Sequence, residues 1–271
     1  MIKFGEIWMS TFSKEHLEFI QTKKKKKIFI LVCQIFIIIS FIILWEYLVY
    51  KGIINSFLFS SPSNIIKCLI NLYKTNNLLE HIKITIYETI VSFGLANILG
   101  ILIGSLLWWN KTCYKIFDPY LTIINSLPKV ALGPLIIIWV GASINSIILM
   151  ALMINTIINI INIYNAFEST DKNFITLMKT FKSTKWQIYK KVIIPCNKLN
   201  IINTFKINIS MSLIGVIMGE LLVSKKGLGY LIMYGSQVFN IDLVISSVII
   251  LAIISYIMYY IIYYIEKKLT K

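Results

Sequence analysis

Histidine and cysteine, which often serve as metal ligands, catalytic bases and nucleophiles, are few in this sequence and stand far apart. The histidines are His16 and His81, and the cysteines are Cys33, Cys68, Cys113 and Cys196. No cysteine pair has C-x-x-C spacing, and neither histidine lies near a membrane carboxylate or a serine nucleophile. The G-x-x-x-x-G-K-[ST] phosphate loop is also missing. The sequence therefore predicts no catalytic site, no metal site and no cofactor in this chain.

Amide and hydroxyl side chains form two stripes in otherwise apolar segments. Asn155, Asn159 and Asn162 are spaced i, i+4 and i+7, so they share one helix face, and Asn208 and Ser212 share another. Such stripes avoid lipid and either line a polar pathway or make hydrogen bonds between helices. We expect a translocation pathway here, with interhelical bonding as an equally good explanation.

Glu220 is an ionisable residue in one of these apolar segments. A carboxylate at membrane depth needs a specific reason. Its position near the end of the segment predicts exposure at the membrane interface. The alternative is a contact at an outer gate of the same pathway or with an external partner protein.

The overall composition predicts an all-α, polytopic membrane protein. Apolar residues make up 57% of the 271 residues, and the mean hydropathy is +0.76. These residues occur in runs of about 20, the length that one helix needs to cross a bilayer. Six spans are predicted, at residues 28–49, 88–109, 119–140, 144–164, 201–222 and 241–264.

Small residues predict which spans pack together. Ala96, Gly100 and Gly104 recur every four residues in the second span, as do Gly215 and Gly219 in the fifth. Small residues at this spacing let two helix backbones approach closely within lipid. We expect both stripes to be helix contacts.

The net charge of +15 reports topology and not nucleic-acid binding. All basic residues are lysines, and they cluster beside the apolar runs instead of forming a stripe with aromatic residues between them. The positive-inside rule then predicts that both termini are cytoplasmic. Residues 1–27 form a lysine-rich cytoplasmic tail, and residues 28–271 form the transmembrane domain.

Residues 165–200, between the fourth and fifth spans, form the only sizeable cytoplasmic segment in this topology. Asp171 is placed to cap a helix whose Phe174, Leu177, Met178 and Phe181 share one face. Thr184 is placed to cap a second helix that ends near Pro195, with Trp186, Tyr189, Val192 and Ile193 on one face. Helices this short are marginal alone. Their apolar faces need a protein groove, or else an anionic lipid surface.

This segment resembles the coupling loop of binding-protein-dependent ABC importer permeases. Residues 180–195 match the loop's spacing, with Val192, Ile194 and Pro195 in its final Ile-x-Leu-Pro positions. Residues 59–63, 127–135 and 219–230 resemble further motifs of the nitrate, sulfonate and taurine branch. The likeness extends from about residue 40 over nearly the whole remaining chain.

The resemblance implies the type I importer permease fold, with six transmembrane helices and a coupling loop between the fourth and fifth. It also implies a transport subunit of the bacterial cytoplasmic membrane. The implied partners are a separate ATPase dimer that binds ATP and Mg, an extracytoplasmic solute-binding protein and a second permease copy. The implied substrate is a small solute such as nitrate, a sulfonate, taurine or a vitamin precursor.

Two departures from the family's coupling motif matter. Its glutamate is missing, because the EAA positions hold Thr176, Leu177 and Met178, and its glycine position holds Lys182. Glycine there permits a left-handed turn, a conformation that costs lysine on the order of 1 kcal/mol. The helix faces and the resemblance together predict that the following residues contact the ATPase: Phe174, Leu177, Met178, Phe181, Lys182, Thr184, Trp186, Tyr189 and Pro195.

Two other classes of function predict different sequence features. A stand-alone secondary transporter predicts intramembrane acidic residues and internal repeats, and we find neither in the sequence. An intramembrane enzyme predicts a cluster of His, Asp or Cys near a membrane face, which the sequence lacks. Co-purification of a stoichiometric ATPase distinguishes the importer from both.

Overall fold

The computed structural model describes residues 14–75 and 77–269, and every regular element in those ranges is helical. The chain divides into two compact units, residues 1–64 and 65–271. In the first unit, α1 (Lys14–Tyr50) is followed by the short helix α2 (Ser56–Phe59). The Glu46 carboxylate accepts hydrogen bonds from the backbone N–H (3.1 Å) and hydroxyl of Ser63, which joins the end of α1 to the start of α3 (Pro62–Lys74). Residues 1–13 of the predicted tail lie outside the described residues.

The second unit contains the remaining helices. In chain order they are α4 (Asn77–Trp109), α5 (Lys111–Ser126), α6 (Gly133–Val140), α7 (Ile144–Glu168), α8 (Lys172–Thr180), α9 (Lys185–Ile188), α10 (Lys198–Val223), α11 (Leu228–Gln237) and α12 (Ile241–Leu269). A π-helical turn (Tyr189–Ile193) and one further turn (Ile194–Cys196) continue α9. In the described ranges, α1, α4, α7, α10 and α12 are each long and apolar enough to cross a membrane.

The predicted third span, residues 119–140, is not one continuous helix. It comprises the second half of α5 and the helical residues Lys129–Val140, which are a 3-10 turn (Lys129–Leu132) followed by α6. The axes of α5 and of Lys129–Val140 differ by 84° across a short break. The break follows Leu127, whose ψ of 141° is extended. A residue that precedes proline is disfavoured in the helical conformation, and Pro128 occupies the next position. The apolar pattern identified the segment, but the Leu127–Pro128 pair determines its bend.

Helix α7 packs between α4 and α10, and glycine allows both contacts. A Cβ atom on Gly100 would lie 2.3 Å from the Asn159 side chain of α7, and one on Gly215 would lie 2.5 Å from the Ala151 Cα atom. Gly104 and Gly219 likewise abut Ile163 and Ile147 of α7. The predicted role of the small-residue stripes as helix contacts is confirmed.

Candidate functional site

Residues 165–200 are called the coupling segment. Both of its predicted helix caps are present. The Asp171 carboxylate accepts a hydrogen bond from the backbone N–H of Asn173 (2.9 Å) at the start of α8. Thr184 and Gln187 form a reciprocal capping box at the start of α9: the Gln187 N–H donates to the Thr184 hydroxyl (3.3 Å), and the Thr184 N–H donates to the Gln187 amide oxygen (2.8 Å). Each bond satisfies a backbone group that a helix end otherwise leaves free.

The turn between α8 and α9 places Lys182 in the left-handed region, with φ of +53°. The Ser183 N–H donates to the Met178 carbonyl (3.1 Å), and the Lys182 N–H donates to the Lys179 carbonyl (2.9 Å). This pair of bonds defines a Schellman motif, in which glycine is the usual residue at the left-handed position. The predicted left-handed turn is confirmed, and lysine occupies it in place of glycine.

Four large apolar side chains of the coupling segment are exposed. Phe174, Leu177 and Phe181 of α8 are 52%, 54% and 72% exposed, and Trp186 of α9 is 58% exposed. Met178, which the sequence placed on the same face, is only partly exposed because it packs against the buried cluster around Phe167. Lys182, Thr184 and Pro195 are exposed at the turn and in the last turn of the segment.

Tyr189, by contrast, is only 8% exposed, so the expectation that its ring joins an exposed docking face is wrong. Its hydroxyl lies 2.7 Å from the Ser105 hydroxyl of α4, and its ring centroid lies 5.6 Å from that of Trp108 and 5.8 Å from that of Phe167. Val192 and Ile193, predicted on the same face, are also buried. These side chains attach the segment to the bundle, because a short helix needs tertiary packing to be stable.

The two asparagine stripes meet in a buried network that joins three helices. The Asn155 amide donates to the Asn208 carbonyl (3.0 Å) and the Ser212 hydroxyl (2.7 Å). Asn97 of α4 accepts through its side-chain oxygen from the amides of Asn159 (3.2 Å) and Asn208 (2.7 Å). The sequence left open whether these side chains line a pathway or bond between helices. In this conformation Asn155, Asn159, Asn208 and Ser212 all make interhelical hydrogen bonds or accept them.

Asn162 does not join this network. It lines a groove of about 350 Å³ near the coupling-segment end of α7 and α10, together with Asn165, Ser169, Asn200, Asn203 and Thr204. The predicted stripe on α7 is therefore split between a closed polar core and an open polar groove. The Asn97 side chain and the Ala96 carbonyl, which accepts from the Asn159 amide (2.8 Å), join α4 to the core. Sequence reasoning did not identify Asn97, although an amide within an apolar span was the available signal.

Glu220 is 1% exposed, so the expected exposure at the membrane interface is wrong. Its carboxylate accepts hydrogen bonds from the Thr85 hydroxyl (2.6 Å) and the Gly229 N–H (2.6 Å). The side chain of Glu88 is fully buried and interacts with the Glu220 carboxyl group. The bundle thus contains two buried carboxyl groups, and the expectation of no intramembrane acidic residues is wrong.

The loop after α10 folds over these carboxyl groups at the end of the bundle opposite the coupling segment. The Gly227 N–H donates to Nδ1 of His81 (2.8 Å), and the Leu228 N–H donates to the Thr85 hydroxyl (2.9 Å). His81, which lies between the first two predicted spans, is part of α4 and is buried. Gly227 has φ of +108°, and a Cβ atom there would lie 2.3 Å from the Glu220 carboxyl carbon. Only glycine fits both the conformation and the space.

A bundle of long apolar helices with one amphipathic segment packed at its end is the architecture that the resemblance to importer permeases implies. The chain belongs to the family of binding-protein-dependent transport system inner membrane components, whose model matches residues 96–271. Members of this family work with ATPase and binding-protein subunits, and ATP hydrolysis takes place on a separate subunit. Buried carboxyl groups are also a feature of secondary transporters. Family membership decides for the importer permease and against both the secondary transporter and the intramembrane enzyme.

Several known proteins are similar over most of their length. The putative aliphatic sulfonates transport permease SsuC of Bacillus subtilis (strain 168) is 26% identical over 85% of this chain and 83% of its own. The formylaminopyrimidine transport permease ThiX of Halalkalibacterium halodurans is 26% identical over 69% of this chain and 74% of its own. Among solved structures, an inward-facing MetNI methionine ABC transporter matches with a TM-score of 0.67 and 18% identity, over 73% of this chain and 98% of that one. The fold of the bundle is therefore that of an ABC importer permease.

Proposed function

We propose that the coupling segment, residues 165–200, docks into a cleft of a separate ATPase, and that the permease works as a pair with a second copy. The exposed apolar side chains of Phe174, Leu177, Phe181 and Trp186 are the observation that carries this proposal. Apolar anchors on a short helix are typical of helix-in-groove recognition. ATP and Mg bind to the ATPase, and this chain holds neither.

Movement passes from the docked face to the bundle through stacked aromatic rings. The exposed Trp186 ring stacks on the buried Tyr189 ring, with centroids 5.6 Å apart and planes 29° apart. The Tyr189 hydroxyl in turn lies against Ser105 of α4. A displacement of Trp186 by the ATPase is thus transmitted to α4, since close-packed side chains have little room to absorb it.

The translocation pathway is proposed to run between two permease copies. Asn155, Asn159, Asn208 and Ser212 are fully buried and belong to one hydrogen-bond network that includes Asn97, which leaves no open channel along them within one bundle in this conformation. They would line the pathway after a conformational change that exchanges these bonds. Glu220 is proposed to hold the opposite end closed through Thr85 and the Gly227–Gly229 loop.

The orientation and the substrate complete the proposal. The lysine clusters support cytoplasmic termini and a cytoplasmic coupling segment in a bacterial plasma membrane. The sulfonate and formylaminopyrimidine permeases among the relatives support a small anionic or heteroaromatic solute, delivered by an extracytoplasmic binding protein.

Co-purification of the ATPase tests the docking site. Replacing Phe174 and Leu177 together with serine removes two exposed apolar anchors, and we expect the retained ATPase to fall at least tenfold, because anchor truncations of this kind each cost about 1–2 kcal/mol. Lys190→Ser, at an exposed polar position of the same segment, is the control and is expected to retain the ATPase. Equal retention by the double variant and the control would show that the partner binds elsewhere.

A further inference from the structure

A cavity of about 880 Å³ lies between the coupling segment and the adjoining ends of α4 and α5. The α4 and α5 side of its wall contains Trp108, Trp109 and Lys111, and the coupling-segment side contains Lys172, Lys179 and Lys185. This volume falls within the range of pockets that hold small ligands. The proposed function assigns no ligand to this space.

The cavity and the proposed docking face use opposite sides of α8. At about 100° per residue, Phe174, Leu177 and Phe181 point to one side of the helix, and Lys172 and Lys179 point to the other. Ile175, between the two lysines in sequence, packs inward against the buried cluster around Phe167. An ATPase seated on the phenylalanine side therefore leaves the lysine side accessible.

The charges around the cavity are unbalanced. Four ammonium groups share the wall with a single carboxylate, that of Glu168, which pairs with Lys111 at 2.6 Å. Lys185 donates to the Trp109 carbonyl and lies 5.5 Å above the centre of the Trp109 ring. None of the ion pairs found within residues 14–75 and 77–269 includes Lys172 or Lys179. Two cations are thus available for an anion that enters the cavity.

We propose that this cavity binds the phosphate-bearing headgroup of an anionic phospholipid, with Lys172 and Lys179 as its main cationic contacts. Tryptophan at the end of a span marks the level of the lipid headgroups, and Trp108 and Trp109 are the last residues of α4. Basic pockets between membrane helices on the cytoplasmic side are typical headgroup sites. A bound headgroup bridges α8, which carries the proposed docking face, to the end of α4, the helix that receives the movement in the proposed coupling.

Native mass spectrometry of the assembled transporter, released from nanodiscs of equal phosphatidylglycerol and phosphatidylcholine content, tests this proposal. We expect the wild-type complex to retain phosphatidylglycerol in preference to phosphatidylcholine. The Lys172→Gln/Lys179→Gln variant is expected to retain roughly 25-fold less phosphatidylglycerol, since each of the two lysines near a membrane surface contributes about a factor of five. The matched control is Lys190→Gln/Lys191→Gln, which removes two exposed charges of the same segment outside the cavity wall.

Three results would overturn the proposal: no preference for phosphatidylglycerol in the wild-type complex, equal loss in the variant and the control, or unchanged retention in the variant. A parallel binding experiment with inorganic phosphate distinguishes a lipid ligand from a free anion. If phosphate binds in a Lys172- and Lys179-dependent way while lipid retention does not change, the ligand is a free anion and not a lipid. The ATPase content of the same samples is read separately, so a failure of the docking proposal is distinguishable from a failure of the lipid site.

Discussion

Replacing Lys182 with glycine is expected to stabilise the turn between α8 and α9. Lys182 adopts φ of +53°, where the side chain of an L-residue approaches its own backbone and costs about 1–2 kcal/mol. Glycine avoids this cost but loses about 0.5–1 kcal/mol more conformational entropy on ordering. The difference leaves a gain of roughly 0.8 kcal/mol, a factor of about four in the equilibrium between the closed and open turn.

Hydrogen exchange measures this gain directly, because two backbone amides close the turn. The Lys182 and Ser183 N–H groups donate the two Schellman bonds, so their protection reports how often the turn opens. After correction for intrinsic exchange rates, we expect about fourfold slower exchange at Ser183 in Lys182→Gly. Lys182→Asn is expected to lie between glycine and wild type, since asparagine tolerates the left-handed region better than lysine.

Lys182→Ala separates backbone strain from charge. Alanine removes the ammonium group but keeps the Cβ atom, so it is expected to leave exchange at Ser183 near the wild-type rate. Equal protection in the alanine and glycine variants would refute the reasoning, because it would trace the effect to the lost charge. Unchanged protection in the glycine variant would refute it as well.

Two glycine contacts give further predictions. Gly100→Ala is expected to lower thermal stability in detergent by about 1–3 kcal/mol, because the added Cβ atom would lie 2.3 Å from the Asn159 side chain. The matched control is Gly94→Ala, whose added Cβ atom would have nothing within 4 Å and which is expected to be neutral or stabilising. A melting temperature lowered equally by both would contradict the packing of α4 on α7. Gly227→Ala is expected to reduce the yield of folded protein, and adding Glu220→Ala to restore it only in part, because the clash is removed while φ stays at +108°. Full recovery in the double variant would mean that backbone strain is negligible there.

The local features of the coupling segment were readable from the sequence because each depends on neighbours within a few residues. The Asp171 and Thr184 caps are side-chain bonds to backbone groups two or three positions away. The left-handed turn at Lys182 follows from helix-end geometry at a position where the family has glycine. The membrane class was equally accessible, since a bilayer fixes the length and polarity of each span.

The tertiary structure decided which residues of each predicted helix face are exposed and which are buried. Periodicity placed Tyr189 and Trp186 on one face, but only the packing of Trp108 and Phe167 buries Tyr189 and leaves Trp186 exposed. The sequence placed Glu220 at the membrane interface because its depth was judged from its position along one helix. The residues that bury it, such as Thr85, come from a distant part of the chain.

The sequence by itself determined the helical membrane class, the coupling segment and its caps, because these depend on composition and local spacing. The three-helix amide network, the buried carboxyl groups and the lysine-lined cavity are products of the tertiary structure alone. Each of them brings together side chains that lie far apart along the chain, and neither composition nor periodicity encodes those distances.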